Sequence, residues 1–171
     1  MASLIENMII ILEEEELLHE KLTELAKEKA GIIVKNDIEE LQRITASEQV
    51  LMDGVLAAEK RREECLKDIS IVINKPVNTI TITMLAELMK GKPEIQRRLM
   101  KIHDNFGKIL KNLKMLNERN NALIKESLDM IQFDLNLLTA MRQTPITADY
   151  DKNAGNVGMH TTGRGVFDKI Q

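Results

Sequence analysis

The sequence predicts an all-α protein: an elongated antiparallel helical bundle of three long helices plus one short helix, with a flexible C-terminal tail. Three observations carry that expectation. Apolar residues recur at alternating spacings of four and three, and a step averaging 3.5 residues keeps one stripe of a helix against a partner helix. Of the 171 residues, 43% are hydrophobic and 30% charged, but only 2% are aromatic and none is Trp, so the core must be Leu, Ile, Val and Met. The 3 Pro and 8 Gly cluster near segment ends and in the tail. High charge, few turn residues and heptad-like spacing together read as long helices.

The first helix is expected over about 3–34. Its stripe is Leu4, Met8, Ile11, Leu18, Leu22, Leu25 and Ile32, with Glu15 and Lys29 as polar steps. Ser3 is its candidate N-cap, with Glu6 completing a capping box. Asn36-Asp37 breaks the pattern, and Asp37 can cap the next helix with Glu40 as box partner. So short a connection makes the two helices pack antiparallel.

The second helix is expected over about 38–73, with the stripe Ile44, Leu51, Val55, Ala58, Cys65, Ile69 and Val72 and the polar steps Glu48 and Arg62. Asn74-Lys75-Pro76 ends it, because Pro76 cannot continue a helix and pushes Lys75 away from helical angles. Val77 to Thr83 alternates Thr and Ile, but a lone strand would have no partner. A short Thr-capped helix over about 82–90, burying Leu85 and Leu88, is the better reading. Gly91-Lys92-Pro93 stops it and starts the next, with Pro93 in the first turn.

The last helix, about 94–141, carries Ile95, Leu99, Ile102, Phe106, Ile109, Leu113, Leu116, Leu123, Met130, Leu137 and Met141, with Asn120, Ser127 and Asp134 in the gaps. Past Asn121 the apolar surface broadens well beyond one stripe, so this half of the helix has a second surface to bury. At 1.5 Å per residue the first two helices are each roughly 50 Å long and the last roughly 70 Å. The short helix can cover its beginning, which leaves the end, around Met130 to Met141, overhanging. An overhanging apolar surface is usually an interaction site. Staggered helices or a homodimer would cover it equally well, and geometry alone leaves the three open. Residues 1–141 are thus expected to form the bundle domain and 142–171 the tail, which is poor in apolar residues yet holds Tyr150, Val157, Met159, Val166, Phe167 and Ile170.

Composition also excludes function classes. A net charge of −3 argues against nucleic acid, which selects a basic face. The N-terminus has no secretory signal pattern, and no stretch approaches the length of a membrane span. A soluble cytoplasmic protein is therefore expected. A single Cys excludes an internal disulfide framework, and Cys65 on the apolar stripe reads as a buried hydrophobe. Glu16 and His19 have the Glu-x-x-His spacing of di-metal bundles, but no second copy exists, so His19 reads as part of a solvated face. The Glu13–Glu16 run reads as solvent-facing charge, with Glu15 at the seam edge. No zinc spacing, Gly-rich phosphate loop or nucleophile–base constellation is present. No cofactor and no metal are expected, and the chain reads as a binding protein, not an enzyme.

Several pieces, in order and spacing, resemble one family. They are Lys35-Asn36-Asp37-Ile38-Glu39-Glu40-Leu41, Thr81-Ile82-Thr83-Met84-Leu85, Leu116-Asn117-Glu118-Arg119-Asn120-Asn121-Ala122-Leu123-Ile124 and Phe133-Asp134-Leu135-Asn136-Leu137-Leu138-Thr139. Tyr150 to Gly155 and Phe167 to Lys169 add to them. The chain resembles the FlgN family of flagellar type III export chaperones over most of its length. The resemblance implies a cytoplasmic chaperone that holds C-terminal helical segments of hook-associated (hook–filament junction) proteins soluble and delivers them to the export apparatus. It implies that the C-terminal half of the long helix binds substrate and that the tail, with Tyr150, docks on the export gate. The chain departs from the family's Tyr-Gly-Pro-like turn, having Tyr150-Asp151-Lys152.

The residues expected to contact substrate are Leu123, Ile124, Leu128, Ile131, Leu135 and Leu138; bundle core is the competing role for each. A partner helix in an apolar groove suits such a surface, and Leu, Met and Ile side chains adapt to more than one partner. Asn117, Asn120, Asn121, Ser127 and Asp134 can fix register or be tolerated at a loose seam. The rival reading is a structural coiled-coil protein whose broad apolar face is its own homo-oligomer interface.

Overall fold

The computed structural model describes residues 2–143, and the tail, with Tyr150, lies outside them. The chain divides into two compact units, Met1–Asp134 and Leu135–Gln171. The elements are α1 (Ala2–Lys35), α2 (Ile38–Ile73), a 3₁₀ turn (Val77–Thr79), α3 (Ile82–Leu88) and α4 (Pro93–Gln143). No strand occurs among the described residues, so the Thr/Ile alternation resolves into the 3₁₀ turn and the start of α3.

Local chemistry sets the boundaries. Asn36 adopts the left-handed conformation, φ 54°. That conformation lets the amides of Asn36 and Asp37 reach back to the carbonyls of Ile33 and Ile32 at 3.0 and 3.3 Å, which closes the end of α1. The Asp37 carboxylate accepts from the Glu40 amide at 3.1 Å and starts α2. Glu40 does not complete the box: the Asp37 amide is already bonded to Ile32, and Glu40 pairs with Arg43 at 3.0 Å. Ser3 lies inside α1, one residue past its start, so the box expected there does not form. Asn74 (φ 50°) repeats the left-handed ending for α2, just before Pro76. The Thr81 hydroxyl accepts from the Met84 amide at 3.1 Å and caps α3.

In the first unit, α1 lies between two neighbours and buries a wider stripe than a single seam. Besides Met8, Ile11 and Leu22 of the expected stripe, it buries Ile5, Ile9, Leu12, Ala26 and Ile33. Toward α2 the pairing is antiparallel: Glu15 meets Arg62 at 2.9 Å, and Lys29 meets Glu48 at 2.6 Å. Toward α4 it is parallel: Glu13 meets Arg98, Glu16 meets Asn105, and Ala26 meets Asn120. The main core gathers the first turns of α1, the last turns of α2, α3 and the start of α4, around Ile5, Met8, Cys65, Ile69, Leu85 and Leu99. Two stripe ends differ from expectation. α3 buries Leu85, Ala86 and, just past its end, Met89, while Leu88 is exposed; α2 buries Ile69 and leaves Val72 exposed.

Glu13–Glu16 is only partly a solvated face: Glu13 is exposed and Glu14 and Glu16 are half-buried, as expected of surface charge, Glu15 is buried in the seam, and all four carboxylates are engaged by neighbouring helices. Four consecutive helical residues span about 300° at 100° each. Their side chains therefore divide between the two neighbours: Glu14 and Glu15 bond Arg61 and Arg62 of α2, and Glu13 and Glu16 bond Arg98 and Asn105 of α4. His19 is likewise only partly solvated. It is half-buried, its ring meets Phe106 edge-on at a centroid distance of 5.0 Å, and its Nδ1–H donates to the Glu15 carbonyl at 2.7 Å.

Candidate functional site

The register between α1 and α4 decides what the end of α4 can touch. Asn120 is buried, and its Nδ2 donates to the Ala26 carbonyl at 2.7 Å. Lys35, the last residue of α1, lies nine residues beyond Ala26, and nine residues beyond Asn120 is Asp129. In this parallel pair, α4 therefore outruns α1 at about Asp129. Burial follows that geometry. Leu123, Ile124 and Ser127 are half-buried, and every described residue from Leu128 onward is exposed.

Within the first unit the exposed stretch is strongly apolar: Leu128 is 60% exposed, Met130 67%, Ile131 45% and Phe133 65%. At about 100° per residue, Leu128 and Ile131 share one face and Met130 and Phe133 lie on the opposite one. A helix apolar on opposite faces belongs inside a larger assembly. Covering what remains exposed of each of these four side chains is worth about 1 kcal/mol apiece, half of a full burial. In the second unit, Leu135, Leu137, Leu138 and Met141 are each exposed by half or more.

The six residues expected at the interface thus divide. Leu123 and Ile124 are shared with the bundle, Leu128 and Ile131 are exposed in the first unit, and Leu135 and Leu138 are exposed in the second. Met130 and Phe133 belong to the exposed stretch and were missed as site residues. Met130 stands on the expected ladder and at the start of the expected overhang but not among the six; Phe133 sits off the ladder, and only the breadth of the apolar pattern signals it. Of the polar seam residues, Asn120 is buried and bonds the Ala26 carbonyl across the α1–α4 seam, whereas Asn117, Asn121 and Asp134 are exposed and Ser127 half-buried.

Next to this stretch the three helices separate around a cavity of about 350 Å³. Leu22 and Lys29 of α1, Glu48 and Met52 of α2, and Leu113, Asn117, Asn120, Asn121 and Ile124 of α4 line it. The Lys29–Glu48 ion pair is largely buried, each side chain 18% exposed. Asn120 Oδ1 is buried and has no hydrogen-bond partner among the described residues.

The rest of the first unit carries no catalytic constellation. Cys65 is buried; its Sγ–H donates to the Leu4 carbonyl at 3.5 Å and its sulfur accepts from Asn7 at 3.8 Å. Burial pushes its thiol above the ordinary cysteine range, only partly offset by the Asn7 hydrogen bond. Among the described residues no group of three or more His, Cys, Asp or Glu could hold a metal ion, and no helix is long and apolar enough to cross a membrane.

A family model described as FlgN protein matches residues 1–158. The uncharacterised protein YvyG of Bacillus subtilis (strain 168) is 25% identical over 122 residues, which cover 71% of this chain and 72% of that protein. No solved structure matches.

Proposed function

This chain belongs to the FlgN family, and on that premise we propose that it is a cytoplasmic flagellar export chaperone for hook-associated proteins. It binds their C-terminal helical segments, prevents premature assembly and delivers them to the type III export apparatus. The observation that carries this reading is the exposed apolar stretch of α4 beginning at Leu128, where α1 has ended. A free amphipathic segment of an export substrate has the complementary need: it aggregates unless its apolar face is covered. Laying such a segment on α4 buries both surfaces at once.

In this proposal Leu123, Ile124, Leu128, Ile131, Leu135 and Leu138 contact substrate, and Met130 and Phe133 extend the contact onto the opposite face. Tyr150, outside the described residues, docks on the export-gate protein. The protein needs no cofactor and performs no chemistry. It neither binds nucleic acid nor inserts stably into membrane.

The test is calorimetry of the full chain against a C-terminal helical peptide of a hook-associated protein. Leu128→Glu and Leu135→Glu should each abolish binding while leaving helical content intact. Loss of the fold would instead mark those side chains as core. The rival reading, a homo-oligomer sealed by this same apolar surface, is favoured if sedimentation shows a tight oligomer that peptide does not disturb. Deleting residues 142–171 should spare peptide capture and reduce delivery.

A further inference from the structure

The chaperone reading leaves the charge on α4 unexplained. Between Arg97 and Arg119 the helix carries seven Lys or Arg and two Asp or Glu, a net charge of +5 in a chain whose own is −3. The arginines that face α1 are matched: Arg61, Arg62 and Arg98 each bind a glutamate there. Lys101, Lys108, Lys111 and Arg119 are exposed instead, with no acidic partner among the described residues. The two acids of the span have neighbours of their own. Glu118 stands 3.9 Å from Lys114, and Asp104 accepts from His103 Nδ1–H at 3.1 Å.

These cations form one stripe. At about 100° per residue, Lys101, Lys108, Lys111, Met115 and Arg119 fall within about 80° of the helix surface, over a length of roughly 27 Å. Asp104 lies in the same stripe, and Met115, 59% exposed, is its one apolar side chain. Two grooves, of about 550 and 540 Å³, share Lys108 and Asn112 as walls; one reaches Met115 and the other Leu17 of α1, which is 50% exposed. The α1 rim of the second groove carries Glu20 and Glu24 beside Lys21, so an acid is held over α4 and not over α1. The stripe ends nine residues before Leu128, about 13 Å along the axis, and lies about 150° round the helix from Leu128 and Ile131.

We propose that this outward stripe of α4 docks an acidic amphipathic helix of a second protein. Its carboxylates face Lys101, Lys108, Lys111 and Arg119, and one apolar side chain between them covers Met115. A row of cations with a single thioether among them complements a helix that bears acids on both sides of a narrow apolar seam. Such charge sets association rate and partner choice more than affinity. An anionic lipid surface fits less well. It is flat and would press on Glu20, Glu24 and Glu118 too, and a helix that lies on membrane presents a broad apolar face where this stripe has only Met115. Because cargo contacts lie beyond Arg119, the acidic helix and a cargo helix are held at the same time; that coexistence alone rests on the chaperone reading.

The test is calorimetry on the full chain with a synthetic helical peptide of three heptads, one stripe of Leu flanked by Glu. It should bind, and bind about tenfold more weakly as NaCl rises from about 50 to about 300 mM. Lys108→Glu/Lys111→Glu should weaken it at least about tenfold and leave a hook-associated C-terminal helical peptide within about twofold, since both lysines are exposed and remote from the cargo contacts. Lys108→Gln/Lys111→Gln adds no charge, should weaken the acidic peptide by a smaller factor, and serves if the reversal disturbs the fold. Leu128→Glu should bind the acidic peptide as the unaltered chain does. The proposal is overturned if the acidic peptide does not bind, if it binds both lysine variants equally well, or if a version flanked by Lys binds as tightly. Phosphatidylglycerol vesicles that retain the chain when the acidic peptide does not would make the stripe a lipid contact and overturn it too. An acidic peptide displaced by the cargo peptide refutes coexistence. A cargo peptide that fails to bind at all counts against the chaperone reading and leaves the acidic dock standing.

Discussion

Arg62→Ala tests whether the polar steps in the α1–α2 seam hold the bundle together. Glu15 is 3% exposed and its carboxylate takes the Arg62 Nε–H at 2.9 Å. Removing Arg62 leaves that carboxylate buried with its cationic partner gone. Breaking a buried pair from one side costs about 3–5 kcal/mol. Because the Arg62 side chain is 30% exposed, water can enter in its place, and the lower end, about 3 kcal/mol, is expected. For a unit of this size that lowers the melting temperature by about 10 °C. Differential scanning calorimetry or urea titration reads it directly. The double variant Glu15→Leu/Arg62→Leu should recover most of the loss, because apolar isosteres of a buried pair are often neutral or stabilising. A drop below about 1 kcal/mol for Arg62→Ala would refute the reasoning, since an exposed ion pair would give that much. So would a double variant less stable than the single one.

Three further outcomes follow from the same geometry. Asp37→Ala removes the N-cap of α2 and should cost about 1 kcal/mol in urea unfolding, with peptide affinity unchanged. Gly31→Ala and Gly107→Ala should each raise stability by up to about 1 kcal/mol, because a Cβ at either site meets nothing within 4 Å. Cys65 should resist alkylation in the native chain and react at an ordinary rate in urea. Its folded thiol titrates above the unfolded one, so its contribution to stability is present below the ordinary thiol pKa and is lost as pH rises through the folded value. Urea midpoints measured from neutral to strongly alkaline pH check that sign; a midpoint that rises with pH in that range would contradict it.

The helices were legible in the sequence because their signals are local. A 3.5-residue apolar step and residues such as Asn36, Asp37, Asn74 and Thr81 act within one turn. Those four residues do the capping in the structure, and Ser3 fails because α1 begins before it. What lay beyond the sequence was long-range. Glu13–Glu16 reads as surface charge until two neighbouring helices are found to divide it between them, and His19 reads as solvated until Phe106 packs on its ring. The overhang of α4 was a length argument with three outcomes; the register marked by the Asn120–Ala26 hydrogen bond shows that α1 ends before α4 does, and whether a partner or a second copy covers the exposed stretch is what the binding and sedimentation experiments decide. The Asn120 amide itself stood out only as a polar gap in the ladder. Its unpaired oxygen and the cavity beside it depend on how far three helices separate, which no periodicity encodes.

The most direct test of the central claim is the affinity of the full chain for a hook-associated C-terminal helical peptide, measured with Leu128→Glu/Ile131→Glu beside the unaltered chain. Each position forfeits about 1 kcal/mol of burial and adds a charge to a desolvated contact, so a loss of at least about 100-fold is expected, with the melting temperature unchanged because both side chains are exposed in the unbound chain. Affinity that survives the double substitution, or a fold that does not, would contradict the account.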